Sequence, residues 1–236
     1  ETTSTYQDLT IPDCEAWTNL IRLKKEKEVV GIYISSHPLD DFTHEIEHFV
    51  TLSLNQLGDL DRLVNREFSI GGIVNEIQHL ESRNGKGWAR FIVEDFTDQY
   101  EFRIFGEDYL KYRHFLVVNQ FIRLRLMIRE GWTNRETGKV GAPRMQYLHF
   151  EMLQNTVENN AKKLTLQLEI SQLKNESIFQ LRDELKSFKG DKPLMFNVYD
   201  SDKKVKLTLN SKKQKVKITP ELLKLLDEKQ WHYKLN

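Results

Sequence analysis

Two groups of side chains in this sequence have types and spacings that carry chemistry. His44 and His48 lie four residues apart beside Glu45 and Glu47, a helical spacing that can hold zinc. A third ligand would have to be recruited by folding, so a solvated helix face is the simpler expectation and no metal ligand is assigned. The second group is Trp88, Arg90, Arg103 and Phe105, set in two short segments where apolar and polar residues alternate. Aromatic rings stack on bases and guanidinium groups hold phosphates, which is the chemistry of a single-stranded nucleic-acid surface. The acidic pairs Asp40-Asp41 and Glu94-Asp95 fall at a helix start and a strand end, where carboxylates serve as caps and turn anchors. No Gly-x-x-x-x-Gly-Lys loop is present to cradle a nucleotide phosphate, and no residue is assigned a catalytic role.

The elements that position the second group run from Glu67 to Leu153. Alternation predicts strands over Phe68–Ile77, Trp88–Glu94, Tyr100–Phe105, Phe121–Arg129 and Met145–Leu153, with a short helix over Glu107–Phe115. Arg83-Asn84-Gly85 is a turn signal between the first two strands. Five strands with a helix after the third is the order of a five-stranded OB-fold barrel. The fourth strand has the strictest period. Ile122, Leu124, Leu126 and Ile128 point one way, while Phe121, Arg123, Arg125, Met127 and Arg129 form a largely cationic opposite face.

The same alternation puts Ala89, Phe91, Val93, Tyr100, Phe102 and Ile104 inside, leaving Trp88, Arg90, Arg103 and Phe105 outside. Such barrels bind oligonucleotides across strands two and three, between the loops joining strands one-two and four-five. Arg83 and Lys86 occupy the first loop; Trp132, Arg135, Lys139 and Arg144 occupy the second. The same residues also fit an ordinary solvated face, with Trp88 and Phe105 packed under a neighbouring domain. Residues 67–153 hold 12 basic and 12 acidic side chains, so any electropositive patch must come from arrangement.

Before the barrel, residues 1–66 read as a helical connector: an irregular lead-in, a polar helix over Glu15–Val30, a turn at His37-Pro38, and a second helix to Val50 capped by Asp40 or Asp41. After it, 154–161 reads as a polar linker and 162–236 as a small α+β domain. There a strand from Leu164 is followed by a helix over Asn175–Phe188, striped by Ile178, Leu181, Leu185 and Phe188 and ended by Gly190. A hairpin through Asp200-Ser201-Asp202, a short strand at Val216 and Ile218, a helix capped by Thr219 with Pro220 at its first position, and a last strand at Trp231 complete the domain. Lys203, Lys204, Lys206, Lys212, Lys213, Lys215 and Lys217 cluster here, and alternation points them to solvent, where they keep a strand edge soluble; a phosphate-backbone patch or partner surface is the alternative.

The whole chain has 236 residues and zero net charge, with −6 over 1–66 and +7 over 160–236. A single cysteine, Cys14, excludes an intrachain disulfide and suits a cytoplasmic setting. No apolar run reaches the ~18 residues of a membrane helix, so no membrane partner is expected. The polar start at Glu1, without methionine, reads as a piece of a longer chain.

The run Glu26-Lys-Glu-Val-Val-Gly-Ile-Tyr-Ile-Ser-Ser-His-Pro-Leu39, then a short helix and an OB barrel, resembles the C-terminal region of the bacterial DNA polymerase III alpha subunits. Gly31, Tyr33, Ser35, His37, Pro38 and Leu39 match that family's pattern; Val30 and Ser36 depart from it mildly. The resemblance implies DNA replication as the setting. The nucleotidyl-transfer centre and its Mg2+ would belong to the parent polymerase upstream, with no cofactor in this fragment. It also implies single-stranded template DNA on the barrel, the clamp-loader tau subunit on the C-terminal domain, and a sliding clamp as partner of the parent protein. The family's clamp-binding peptide is not found here: Gln7-Asp8-Leu9-Thr10 and Gln56-Leu57 do not fit it. A barrel that docks a replisome protein and binds no DNA by itself is the alternative.

Overall fold

A computed structural model describes residues 15–133, 137–173 and 175–236. Cys14, the Gln7-Asp8-Leu9-Thr10 run and Arg135 lie outside the described residues. The chain divides into two units, Glu1–Asp40 and Asp41–Asn236.

In the first unit, helix α1 spans Asn19–Val30 and starts where the Thr18 hydroxyl accepts the Ile21 N–H at 3.4 Å. It stops at Gly31, whose φ of 89° is left-handed and whose N–H reaches the Lys27 carbonyl. The chain then folds back along the helix. Glu26 accepts the N–H of Ile34, the N–H of Ser35 (2.6 Å) and the hydroxyl of Ser35 (2.6 Å). Those bonds, the Ser35 hydroxyl first, hold its carboxyl below the ordinary glutamate range. Tyr33 sits edge-on to His37 with Lys27 above its ring. The sequence leads one to expect Asp40 or Asp41 to cap the next helix, and Asp40 does not. Its carboxylate takes the His37 N–H at 2.7 Å and so closes the His-Pro turn.

The second unit opens with helix α2, Thr43–Phe49, whose start has no side-chain cap. Two 3-10 turns, Leu54–Gly58 and Leu60–Leu63, lead to strand β1, Glu67–Glu81. Leu54, Leu57 and Leu63 are buried there, and each such side chain stabilises by about 1.5–3 kcal/mol. Strands β2 (Gly87–Glu94) and β3 (Gln99–Phe105), helix α3 (Gly106–Tyr112), and strands β4 (Phe121–Arg129) and β5 (Arg144–Met152) follow. The five strands form one antiparallel sheet in the order β3-β2-β1-β4-β5. Its interior holds the residues that alternation selects, with Ala89, Phe91, Val93, Ile104, Ile122, Leu124, Leu126 and Ile128 at 0% exposure.

The expected closed barrel is not found, because no backbone pairing joins the edge strands β3 and β5 among the described residues. A side chain bridges them instead: the buried Tyr147 hydroxyl of β5 donates to the Arg103 carbonyl of β3 at 2.9 Å. The outer face of β4 also departs from expectation. Arg123 is buried, because α2 and helix α4 (Leu153–Asn160) cover it. Helix α4 occupies the stretch expected as a linker. Its polar composition hides a short stripe of Leu153, Thr156 and Val157, all at 0% exposure.

A second, four-stranded sheet has the order β8-β7-β6-β9. Strand β6 is Leu164–Glu169, helix α5 is Asn175–Ser187, and strands β7 (Lys189–Asp200) and β8 (Val205–Val216) form a long hairpin. Helix α6, Pro220–Glu228, and strand β9, His232–Leu235, close the chain. β6 and β7 are parallel, joined through α5; the other pairs are antiparallel. Thr219 caps α6 as its sequence predicts, taking the Leu222 N–H. Leu181 and Leu185 bury the α5 stripe, whereas Ile178 stays exposed. Gly190 does not end α5 but lies in β7, and Val216 belongs to β8 and not to a separate strand.

Candidate nucleic-acid interface

Strand register builds the outer face of β1, β2 and β3 in three rows. Phe105, Trp88 and Leu80 stand side by side at one end, Arg103, Arg90 and Gln78 form the middle row, and Glu101, Ile92 and Glu76 the far row. Polarity therefore changes along the strands from apolar, through cationic, to acidic. The rings of Trp88 and Phe105 stack with centroids 5.2 Å apart and planes 19° from parallel. Phe105 is 56% exposed, so the stack presents a free edge and face to solvent.

The sheet thus brings together the four residues singled out by type, and adds one that the sequence reading left aside. Glu101 accepts from Arg90 at 3.2 Å and from both Nε and Nη2 of Arg103 at 3.0 and 2.8 Å. One carboxylate holds two guanidinium groups in the plane of the face, which fixes their direction and halves their charge. Period two alone reveals it, since Glu101, Arg103 and Phe105 share a parity.

Helix α3 supports this face from within. Gly87 has no side chain because the Tyr109 ring lies where a Cβ would sit, 2.7 Å from its Cε1. The Tyr109 hydroxyl is bonded to His79 Nδ1 at 3.1 Å. In the β1–β2 loop, Arg83 and Lys86 are exposed, and the turn is closed by Ser82, which donates to and accepts from Lys86, with Gly85 at φ 71°.

The β4–β5 loop forms a second ring-and-cation pair. Arg144 lies 4.2 Å over the Trp132 ring, which is 75% exposed. The pair walls a cleft of about 750 Å³ with Arg129, Glu130 and Asp108 of α3. Partial burial raises the Asp108 carboxyl above the ordinary aspartate range. Lys139 is exposed on the same loop, and Arg135 lies outside the described residues.

The remaining chemistry-bearing residues turn inward. Asp95 accepts the N–H groups of Leu54, Thr97 and Asp98, the turn role expected of it. His44 and His48 do not form a solvated face. His44 Nδ1 lies 3.5 Å from Asp227 and His48 packs on the Tyr233 ring, so α2 is docked on the second sheet. Burial holds the His48 imidazole below the ordinary histidine range. No group of three His, Cys, Asp or Glu able to hold a metal occurs among the described residues.

By fold and surface this is a mixed α/β region of two sheets, with a ring-and-guanidinium face on the first. Residues 164–236, the second sheet and its helices, match the family model "DNA polymerase III alpha subunit, C-terminal domain". The DNA polymerase III subunit alpha of Borreliella burgdorferi is 30% identical over 194 residues, covering 79% of this chain and 16% of that protein. That of Bacillus subtilis is 27% identical over 170 residues, 70% of this chain and 14% of its own. The chain thus spans about a sixth of the length of these relatives. A structure of RecG bound to a three-way DNA junction overlaps 61% of this chain and 20% of that one with a TM-score of 0.27 and 14% identity, too slight an overlap to define a shared fold. The chain corresponds to the C-terminal region of the DNA polymerase III alpha subunits.

Proposed function

We propose that this region is a non-catalytic part of a replicative polymerase that holds single-stranded template DNA on the outer face of β1–β3. The observation that carries the reading is the exposed Trp88/Phe105 stack beside the Arg90/Arg103 row. A base adds to the stack at the apolar end, its 5′ or 3′ phosphate falls on the guanidinium row, and the Glu101 row repels the backbone and so limits the track. The sheet is read as an OB barrel whose β3–β5 seam is bridged by Tyr147, with residues 1–66 as connector and 162–236 as the small α+β C-terminal module. Arg83 and Lys86 would extend the track at one end and Trp132, Lys139 and Arg144 at the other. The C-terminal module is read as the surface for the clamp-loader tau subunit, as the family resemblance implies, and polymerase activity belongs to the whole protein.

A protein-docking role for the same face is favoured by Glu101, which offsets both arginines. Fluorescence anisotropy of a labelled single-stranded oligonucleotide at two salt concentrations separates the readings. Saturable, salt-sensitive binding that weakens about tenfold or more in Trp88→Ala and Arg103→Ala supports DNA on β2–β3, since stacking is worth ~1–3 kcal/mol per base. No binding at tens of micromolar by folded protein removes the DNA reading, and binding of tau lost in the same variants would establish the docking one.

A further inference from the structure

The second sheet carries a lysine-walled cleft outside the proposed DNA face. It lies where the start of β7 meets the end of β8, has a volume of about 550 Å³, and is lined by Lys186, Lys189, Lys212, Lys213, Gln214 and Lys215. It exists because the hairpin register breaks twice. Lys189 and Lys192 of β7 are both opposite Val216, and five steps of β8 from Asn210 to Lys215 span two steps of β7 from Met195 to Pro193. The extra residues of β8 bulge out, and Ser211 Oγ accepts the Gln214 N–H at 3.1 Å to close the bulge. Bulges re-aim side chains, so Lys212 and Lys213 leave the alternation that would spread them over two faces. The floor is backbone: at Gly190 a Cβ would stand 2.3 Å from the Lys217 nitrogen.

The wall contains no carboxylate. Lys186 is tied to Asp183 and Lys217, just beyond the cleft, to Glu158, but Lys189, Lys212, Lys213 and Lys215 form no ion pair among the described residues. The Gln214 Nε2 donor is also buried without an acceptor. A cleft of ammonium groups and one spare amide donor is built for a ligand with several acceptor oxygens and multiple negative charge. It holds no arginine fork of the kind that grips carboxylates in pairs, and no ring on which a base could stack.

We propose that this cleft binds the phosphate backbone of nucleic acid, independently of sequence and strandedness, as a second contact separate from the β1–β3 face. The test is binding of a labelled blunt-ended DNA duplex to the 236-residue chain across a salt series. Substituting Lys212→Gln, Lys213→Gln and Lys215→Gln together should weaken duplex binding at least tenfold and reduce the salt slope by about 2–3, at ~0.9 per phosphate contact. Arginines at the three positions should restore it, whereas Trp88→Ala should leave it unchanged. Unchanged affinity and slope in the triple glutamine variant overturn the proposal. So does tripolyphosphate that competes as well per phosphate as the duplex, or polyglutamate that binds where duplex does not. Lysine acetylation of the unsubstituted chain avoids dependence on variant folding. Duplex should protect Lys189, Lys212, Lys213 and Lys215 more than Lys203 and Lys204 at the hairpin tip, and equal labelling with and without DNA overturns the assignment.

Discussion

Arg123 and Glu151 face each other across β4 and β5, with Nη1 2.6 Å from Oε1 and both side chains less than a tenth exposed. The pair is more than a cross-strand contact. Arg123 Nε donates to the carbonyl of Phe49, the last residue of α2, at 2.8 Å. Glu151 accepts from Asn160 of α4 at 2.9 and 3.1 Å. One guanidinium and one carboxylate therefore join the first sheet to the two helices that lead into the second core, where Phe49 and Val157 are buried. The guanidinium at the α2 carbonyl end also complements that helix's negative pole.

Removing one partner of such a pair strands the other charge in a dry site. Glu151→Ala is expected to lower unfolding free energy by about 3–5 kcal/mol in urea denaturation. Arg123→Met with Glu151→Leu should recover most of that loss, because a well-packed apolar pair carries no desolvation cost. Equal losses in the single and double variants would contradict this account.

Glu101 holds Arg90 and Arg103 in a shared ion pair on the proposed DNA face. Glu101→Gln should tighten single-stranded oligonucleotide binding several-fold and steepen the salt slope by about 0.7 for each guanidinium that gains a phosphate. Weaker binding in this variant would mean that the carboxylate's orienting role outweighs its charge. Anisotropy titrations at two ionic strengths decide between these outcomes.

Glu45 of α2 is 1% exposed, and its Oε2 has no hydrogen-bond partner among the described residues. Burial first, then the nearby Glu221 carboxylate, raises its pKa above the ordinary 4.5. Glu221 itself is held low, chiefly by the Thr219 hydroxyl, so it is Glu45 that gives up its proton more reluctantly. A carboxyl whose folded-state pKa is raised favours folding below its unfolded value and loses that contribution as pH rises through the folded value. Glu45→Gln should therefore raise Tm at about pH 7 by ~2–4 °C, corresponding to roughly 1 kcal/mol, and change it little near pH 4. Thermal melts at the two pH values check the sign.

At Gly190 any side chain meets backbone and not a movable group. Gly190→Ala should cost about 1–3 kcal/mol by overpacking. Because the same contact forms the floor of the lysine cleft, the variant should also weaken duplex binding at temperatures where it remains folded. Circular dichroism melts with parallel binding measurements test both effects.

Sequence by itself determined what depends on near neighbours. Strict alternation in Phe121–Arg129 placed Ile122, Leu124, Leu126 and Ile128 inside, and the strand's bounds are those observed. Thr219-Pro220 started α6, and the His37-Pro38 turn was legible because its bonds span only three residues. Alternation also put Trp88, Arg90, Arg103 and Phe105 on one face, though it did not weigh Glu101 beside them. Tertiary structure decided the rest. Arg123 and Arg125 have the same type and parity, yet only Arg123 is buried, because α2 and α4 arrive from elsewhere in the chain. Residues 153–160 became a helix through burial of Leu153, Thr156 and Val157, which their polar neighbours obscure. The lysines of β8 converge through a register break that depends on β7, and period two has no means of expressing an insertion made by a partner strand. Local periodicity sets which side of an element is dry; which exposed side is then covered depends on contacts remote in sequence, where burial energy outweighs local composition.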